Sequence, residues 1–206
     1  MTRTTRHAAF LHGPMHAMSP PSDHLLRTLA AVPVSSNILD LGCGRGRHTA
    51  PLLRLGFPVH ACDARPSAVQ AARDGVTDLV GEDTAEQCVR VVPPDGFDVY
   101  PDDAFNWIVA FDPTAYAPSG TEWPDLLREI RRLLAPGGWA YVASTGRADP
   151  SGDGATDPTL QLTPTRLDTY GEEVGLAASV AAERAEEHGQ PLVRAIFRYV
   201  TEATPR

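Results

Sequence analysis

The sequence predicts an α/β fold, a doubly wound and mostly parallel sheet with helices on both faces and one antiparallel strand at the C-terminal end. Three observations predict it. Strand-length apolar runs alternate with helical patterns from residue 22 onward, the arrangement of parallel strands joined by crossover helices. One run, 37–41, passes directly into Gly42-Cys43-Gly44-Arg45-Gly46, a strand-to-helix junction. The chain then closes on two strand patterns, 176–182 and 192–200, joined by a polar turn at 186–190, which reads as a hairpin.

Residues 1–21 carry little pattern and end at Ser19-Pro20-Pro21, so they are expected to form a tail or a lid, with a single domain over 22–206. His7, His12 and His16 invite a metal reading, but Gly13-Pro14 prevents one continuous helix face and no metal is expected. Ser22 or Asp23 caps a helix through Ala31 that buries Leu25, Leu26 and Leu29. The next helix is expected over 46–55, stopped by Gly56. A second strand, 59–62, stops at Asp63, and Pro66 opens a short helix over 67–73. An acidic, helical stretch at 82–87 precedes a third strand at 89–92, and a fourth runs over 105–112. A helix with its Pro136-Gly137-Gly138 turn leads to the fifth strand, 139–144. The Gly, Asp and Pro-rich segment 146–158 reads as a surface excursion, and Thr163-Pro164 opens the last helix, Thr as cap and Pro at the first position.

The chemistry gathers around residues 37–63. Alternate glycines let the backbone turn with positive φ and approach a ligand closely, and a helix start offers its unpaired N–H groups. A carboxylate at the tip of the next strand, Asp63, is placed to hold a ribose diol. The dinucleotide fingerprint requires its third glycine three residues after the second, and Arg47 stands there, which disfavours hydride transfer.

The run Asp40-Leu41-Gly42-Cys43-Gly44-Arg45-Gly46 with Asp63 resembles motif I and the ribose acid of the class I S-adenosylmethionine-dependent methyltransferases, which have a Rossmann-like sheet. Phe105 to Asp112 is similar to that family's fourth strand, with Asn106 in place of an Asp, and Leu126 to Trp139 to its helix, Pro-Gly-Gly turn and fifth strand. The resemblance implies S-adenosylmethionine as cofactor and S-adenosylhomocysteine as product. It implies Gly42, Cys43, Gly44 and Gly46 at the cofactor's backbone cradle, Asp40 at the methionine amino group, Asp63 at the ribose, and Ala64 and Arg65 along the adenine edge, Arg65 reading equally well as solvated. Asp95 is carried to the adenine amino group, with Asp83 as competitor, and Phe111 to the cofactor side of the fourth strand. The acceptor side is expected at Asp112 and Tyr116. His48 reads as a base, a lid contact or, preferably, a solvated first-turn residue.

Methyl transfer from a sulfonium is an in-line displacement with an excellent leaving group, so it needs alignment and exclusion of water more than a nucleophile. The length of 206 residues without an added recognition domain, and the net charge of −8, favour a small-molecule acceptor, while its O, N or S atom stays open. Acidity argues against nucleic acid unless arginines gather locally, as Arg128, Arg131 and Arg132 do; no lysine occurs. A non-catalytic cofactor-binding module acting through a partner, or an enzyme acting on RNA or protein, remain the alternatives. No apolar run suits a membrane helix and no secretory block is visible, so a cytoplasmic location is expected. Cys43, Cys62 and Cys88 read as reduced core thiols, and the oligomeric state is left open.

Overall fold

The computed structural model describes residues 20–145 and 162–201. The expectations for residues 1–19, including the three histidines, and for the 146–158 excursion lie outside the described residues. Among the described residues a seven-stranded sheet forms, in the order β3-β2-β1-β4-β5-β7-β6. Its strands are β1 (Ile38–Leu41), β2 (Val59–Asp63), β3 (Val89–Val91), β4 (Phe105–Phe111), β5 (Leu134–Ser144), β6 (Leu176–Glu187) and β7 (Gln190–Tyr199). β1 to β5 pair in parallel, and β7 runs against both β5 and β6, giving the one reversed strand that was expected. The helices are α1 (Asp23–Leu29), α2 (Thr49–Arg54), α3 (Pro66–Val80), α4 (Glu82–Cys88), α5 (Trp123–Leu133) and α6 (Pro164–Glu173). None of the described helices is long and apolar enough to cross a membrane.

Local chemistry sets most boundaries. The Ser22 hydroxyl accepts from the Leu25 N–H at 3.1 Å and starts α1, while Thr163 caps α6 in the same way through Arg166. α1 ends two residues before the expected Ala31, since Val32 precedes Pro33 and is pushed out of helical geometry. α3 runs to Val80 instead of 73, because Val69, Ala72 and Val76 continue its buried stripe past Gly75. α2 starts at Thr49 rather than 46, since residues 42–48 form the turn that carries the site.

β4 splits the core between the two faces of the sheet. Trp107, Val109 and Phe111 pack with Leu25, Leu29 and Leu52 on one side, and Ile108 and Ala110 pack with Leu127, Ile130 and Phe197 on the other. Phe105 breaks the alternation and joins the second group, because a β-bulge lies between it and Trp107. At the bulge the N–H groups of Asn106 and Trp107 both donate to the Asn37 carbonyl, at 3.0 and 3.1 Å. The Asn106 side-chain oxygen accepts the Asn37 N–H at 2.9 Å. An amide oxygen performs this as well as a carboxylate, which explains the Asn at this position, at the edge of the sheet opposite Asp63.

Candidate functional site

Strand order reverses between β1 and β4, and their carboxyl ends open a crevice where ligands of such sheets bind. Beyond β1, the N–H groups of Gly42 and Cys43 both donate to the Cys62 carbonyl at 2.9 Å, tying the glycine turn to β2. A Cβ at Gly42 (φ +76) would lie 2.7 Å from the Pro113 Cα, so this glycine serves packing. At Gly44 (φ +56) a Cβ would meet no protein atom within 4 Å. The open side of the turn is therefore at Gly44, where a ligand can approach the backbone.

Asp63 closes that turn from β2. It is fully buried, and its Oδ2 accepts the Gly44 N–H at 3.0 Å. Oδ1 accepts the Arg65 N–H at 2.9 Å, and the Arg65 guanidinium adds Nε to Oδ1 at 3.0 Å and Nη2 to Oδ2 at 3.1 Å. Arg65, which the sequence left between the adenine edge and solvent, is thus held on the carboxylate expected to bind ribose. Ala64 is half-buried beside it. The Val92 N–H donates to the Asp63 carbonyl at 3.1 Å, so the loop that carries exposed Asp95 leaves the sheet at the same edge. Asp83 sits in the first turn of α4, before β3 rather than after it. Asp95 thus lies on the loop after β3, at the same end of the sheet as Asp63, and Asp83 lies on the other side of β3.

Asp40 is buried under the turn and accepts from the Thr49 hydroxyl at 2.6 Å. Burial pushes its carboxyl up to about 6, with the Thr49 bond and the Arg47 charge opposing the rise. His48 corrects the expectation of a solvated histidine. It is buried, packs 4.9 Å from the Phe111 ring, and its Nε2 accepts the Ser22 backbone N–H at 3.2 Å. That bond leaves the ring proton on Nδ1, and burial drives the group down to about 3. His48 is a neutral tie between α2 and the entry to α1, with no free Nε2 lone pair for a base. Its apolar surroundings, Phe111 above all, come from distant sequence, and no local pattern signals them.

Tyr116 is likewise placed away from proton transfer. Its hydroxyl donates to the Val92 carbonyl at 2.8 Å and its ring packs 5.0 Å from Phe97, and burial raises its pKa. It braces the loop after β4 against the loop after β3. Asp112, at φ +50, stays at the mouth: its Oδ1 accepts the Thr145 N–H at 2.6 Å and the Thr145 hydroxyl at 2.9 Å.

A cavity of about 380 Å³ opens here, lined by Arg47, Phe111, Asp112, Thr145, Glu187 and His188 among others. Glu187 and His188 were read only as a polar turn. The turn has φ of +50 at His188 and +73 at Gly189, the form that matches strand twist, and it carries the tip of the β6–β7 hairpin over the carboxyl edge. Ring Nε2 of His188 lies 3.1 Å from the Pro21 carbonyl, and the Glu187 Oε1 accepts the His24 N–H at 3.4 Å. Hairpin and α1 entry together wall the cavity.

The arginines on α5 are engaged within the chain. Arg132 donates to the carbonyls of Phe97 and Tyr100 and to Asp102 and Glu129, Arg131 lies 3.2 Å over the Tyr199 ring, and Arg128 pairs with Asp125. All three cysteines are buried free thiols, and burial pushes Cys62 up to about 12. No His, Cys, Asp and Glu cluster able to hold a metal occurs among the described residues.

Residues 15–194 match the model of a family described as a methyltransferase domain. A ubiquinone biosynthesis O-methyltransferase of Xanthomonas oryzae pv. oryzae is 28% identical over 136 residues, covering 65% of this chain and 53% of that protein. The chain thus spans about half the length of the curated relatives it matches. In fold it is similar to a SAM-dependent methyltransferase of Methanosarcina mazei, with a TM-score of 0.64 at 16% identity over 86% of this chain and 98% of that one. It is also similar to a Burkholderia thailandensis 1,6-didemethyltoxoflavin-N1-methyltransferase, described with its substrate and S-adenosylhomocysteine bound. That TM-score is 0.58 at 19% identity, covering 85% of this chain and 76% of the other.

Proposed function

Because the chain belongs to the family of methyltransferase domains, we propose that it transfers a methyl group from S-adenosylmethionine to a small-molecule acceptor held in the cavity beside Phe111 and Asp112. The observation that carries this reading is the meeting, at one switch point, of an open glycine turn at Gly44 with the buried carboxylate of Asp63. The residues fit the cofactor: Gly44 leaves the space, Asp63 offers two acceptor oxygens to a ribose diol once Arg65 moves, and Asp40 offers a carboxylate to an ammonium. The sulfonium of the bound cofactor supplies an activated methyl group and a neutral thioether as leaving group.

What remains for the protein is placement and proton removal. Phe111 and the hairpin tip line the cavity, a wall that would shield an aligned acceptor and methyl from water. Of the three groups considered for the acceptor side, His48 and Tyr116 are committed to internal hydrogen bonds, and Asp112 keeps Oδ2 for an acceptor N–H or O–H. A small acceptor suits a cavity of about 380 Å³. The α5 arginines, spent inside the chain, offer little to a phosphate backbone.

Thermal unfolding with S-adenosylmethionine, S-adenosylhomocysteine and NAD tests the reading. Ligand at about 100 times its Kd stabilises by about 2.7 kcal/mol, a midpoint shift on the order of 5 °C. A shift with the two adenosyl ligands alone, lost in Asp63→Ala, is expected. Equal shifts with NAD, or none with either adenosyl ligand at millimolar concentration, would remove the proposal.

A further inference from the structure

Among the described residues that wall the cavity, His188 is the only imidazole. With φ of +50, and Gly189 after it at +73, it holds the first position of a hairpin turn that Asn, Asp or Gly ordinarily fills. Turn chemistry therefore does not call for a histidine here. Its Nε2 lies 3.1 Å from the Pro21 carbonyl. A carbonyl oxygen only accepts, so Nε2 carries the proton, and in the neutral ring Nδ1 keeps the lone pair. The residue is exposed, and Nδ1 has no hydrogen-bond partner among the described residues. His48 is the reverse case, its Nε2 spent on the Ser22 N–H. The other titratable groups on the wall are Arg47, Asp112 and Glu187. A guanidinium cannot take up a proton. Glu187 accepts the His24 N–H through Oε1 at 3.4 Å, while its Oε2 is covered by the chain, out of reach of an acceptor. Asp112 and His188 remain, and imidazole is the side-chain type suited to proton uptake near neutral pH.

We infer that His188 is the general base of the transfer, its Nδ1 taking the proton of an acceptor that arrives as O–H or N–H, while Asp112 holds that acceptor in place. The inference rests on the methyl-transfer reading and adds the residue that receives the proton. In the step, a lone pair of the acceptor forms the bond to the methyl carbon as the carbon–sulfur bond breaks and its electron pair returns to sulfur, leaving a neutral thioether. The acceptor's proton passes to Nδ1, so the positive charge of the sulfonium ends on the imidazolium. The Nε2–H stays on the Pro21 carbonyl and fixes the ring, and the exposed tip then releases the proton to water.

Release of S-adenosylhomocysteine from S-adenosylmethionine, followed on the full chain with catechol and with 4-nitrothiophenol, tests this. Catechol brings a proton that must be removed, whereas 4-nitrothiophenol is already a thiolate at neutral pH. His188→Asn, which suits the left-handed turn, is expected to lower catechol turnover about 10²- to 10⁴-fold, to lower thiolate turnover far less and to retain S-adenosylhomocysteine binding. Added imidazole should restore part of the variant's catechol turnover, which a structural role would not allow. Equal loss with both acceptors and no rescue would make His188 a structural residue of the hairpin, and unchanged catechol turnover would pass the proton to Asp112; either result overturns the base. No turnover of either acceptor by an unaltered chain that binds S-adenosylhomocysteine would remove the cavity as acceptor site, and the base with it. Failure of the unaltered chain to bind S-adenosylhomocysteine would instead remove the methyl-transfer reading itself.

Discussion

Arg65 closes over Asp63, two residues away, with Nε on Oδ1 at 3.0 Å and Nη2 on Oδ2 at 3.1 Å. The arginine therefore occupies the carboxylate that the proposed reading gives to a ribose diol. Any nucleoside that uses Asp63 must first displace a guanidinium that is 54% exposed and can find water when it leaves.

Removing this internal competitor should help the ligand. Arg65→Ala is expected to tighten S-adenosylhomocysteine about 2- to 5-fold, the range of a solvent-exposed ion pair. Raising salt should narrow the gap between the two proteins, because it screens the pair in the parent chain. Weaker binding in Arg65→Ala would show instead that the arginine holds the nucleoside.

The two buried groups under the turn should give opposing pH dependences. His48 is neutral when folded and takes a proton near 6.5 when unfolded, so its stabilisation is complete above 6.5 and is lost as pH falls toward about 3. Asp40 keeps its proton up to about 6 when folded against 3.8 unfolded, so its contribution is present below 3.8 and is lost as pH rises through about 6. Between those values the slopes cancel. Asp40→Asn should unmask the His48 slope, an extra fall of about 1.4 kcal/mol per unit below pH 6 in urea unfolding. Parallel stability curves for the two proteins would contradict this.

The glycines should separate by role. Gly44→Ala is expected to cost about 1–2 kcal/mol for its left-handed backbone and to abolish the S-adenosylhomocysteine shift, since only a ligand meets the new methyl group. Gly42→Ala should cost about 1–3 kcal/mol more through its collision with Pro113. Melting points with and without ligand check both, and intact ligand binding in Gly44→Ala would refute the assigned opening.

The polar groups beyond β4 should differ in kind. Tyr116→Phe is expected to lose about 1 kcal/mol of stability with its bond to Val92 and to retain turnover. Asp112→Asn should keep the fold and lower kcat about 10²-fold or more once an acceptor is in hand. A Tyr116→Phe variant that folds but does not turn over would reverse these roles.

Much of this was legible in the chain. Strand and helix periods, the caps Ser22 and Thr163, and the Gly42 to Gly46 turn with Asp63 on the following strand are local signals, and the structure assembles them in the expected order. The polar turn at 186–190 also announced a hairpin, though nothing in its residues told that its tip would reach the cavity.

What the sequence determined by itself was the set of elements, because backbone preference and the burial pattern of a segment are properties of neighbouring residues. Tertiary structure decided what those elements meet. It buried His48 against Phe111, took Tyr116 away to Val92, bulged β4 at Asn106 and laid Arg47 on the same phenyl ring. Each of these pairs residues at least 24 positions apart, and the desolvation that sets a charge state there depends on atoms brought by the whole fold.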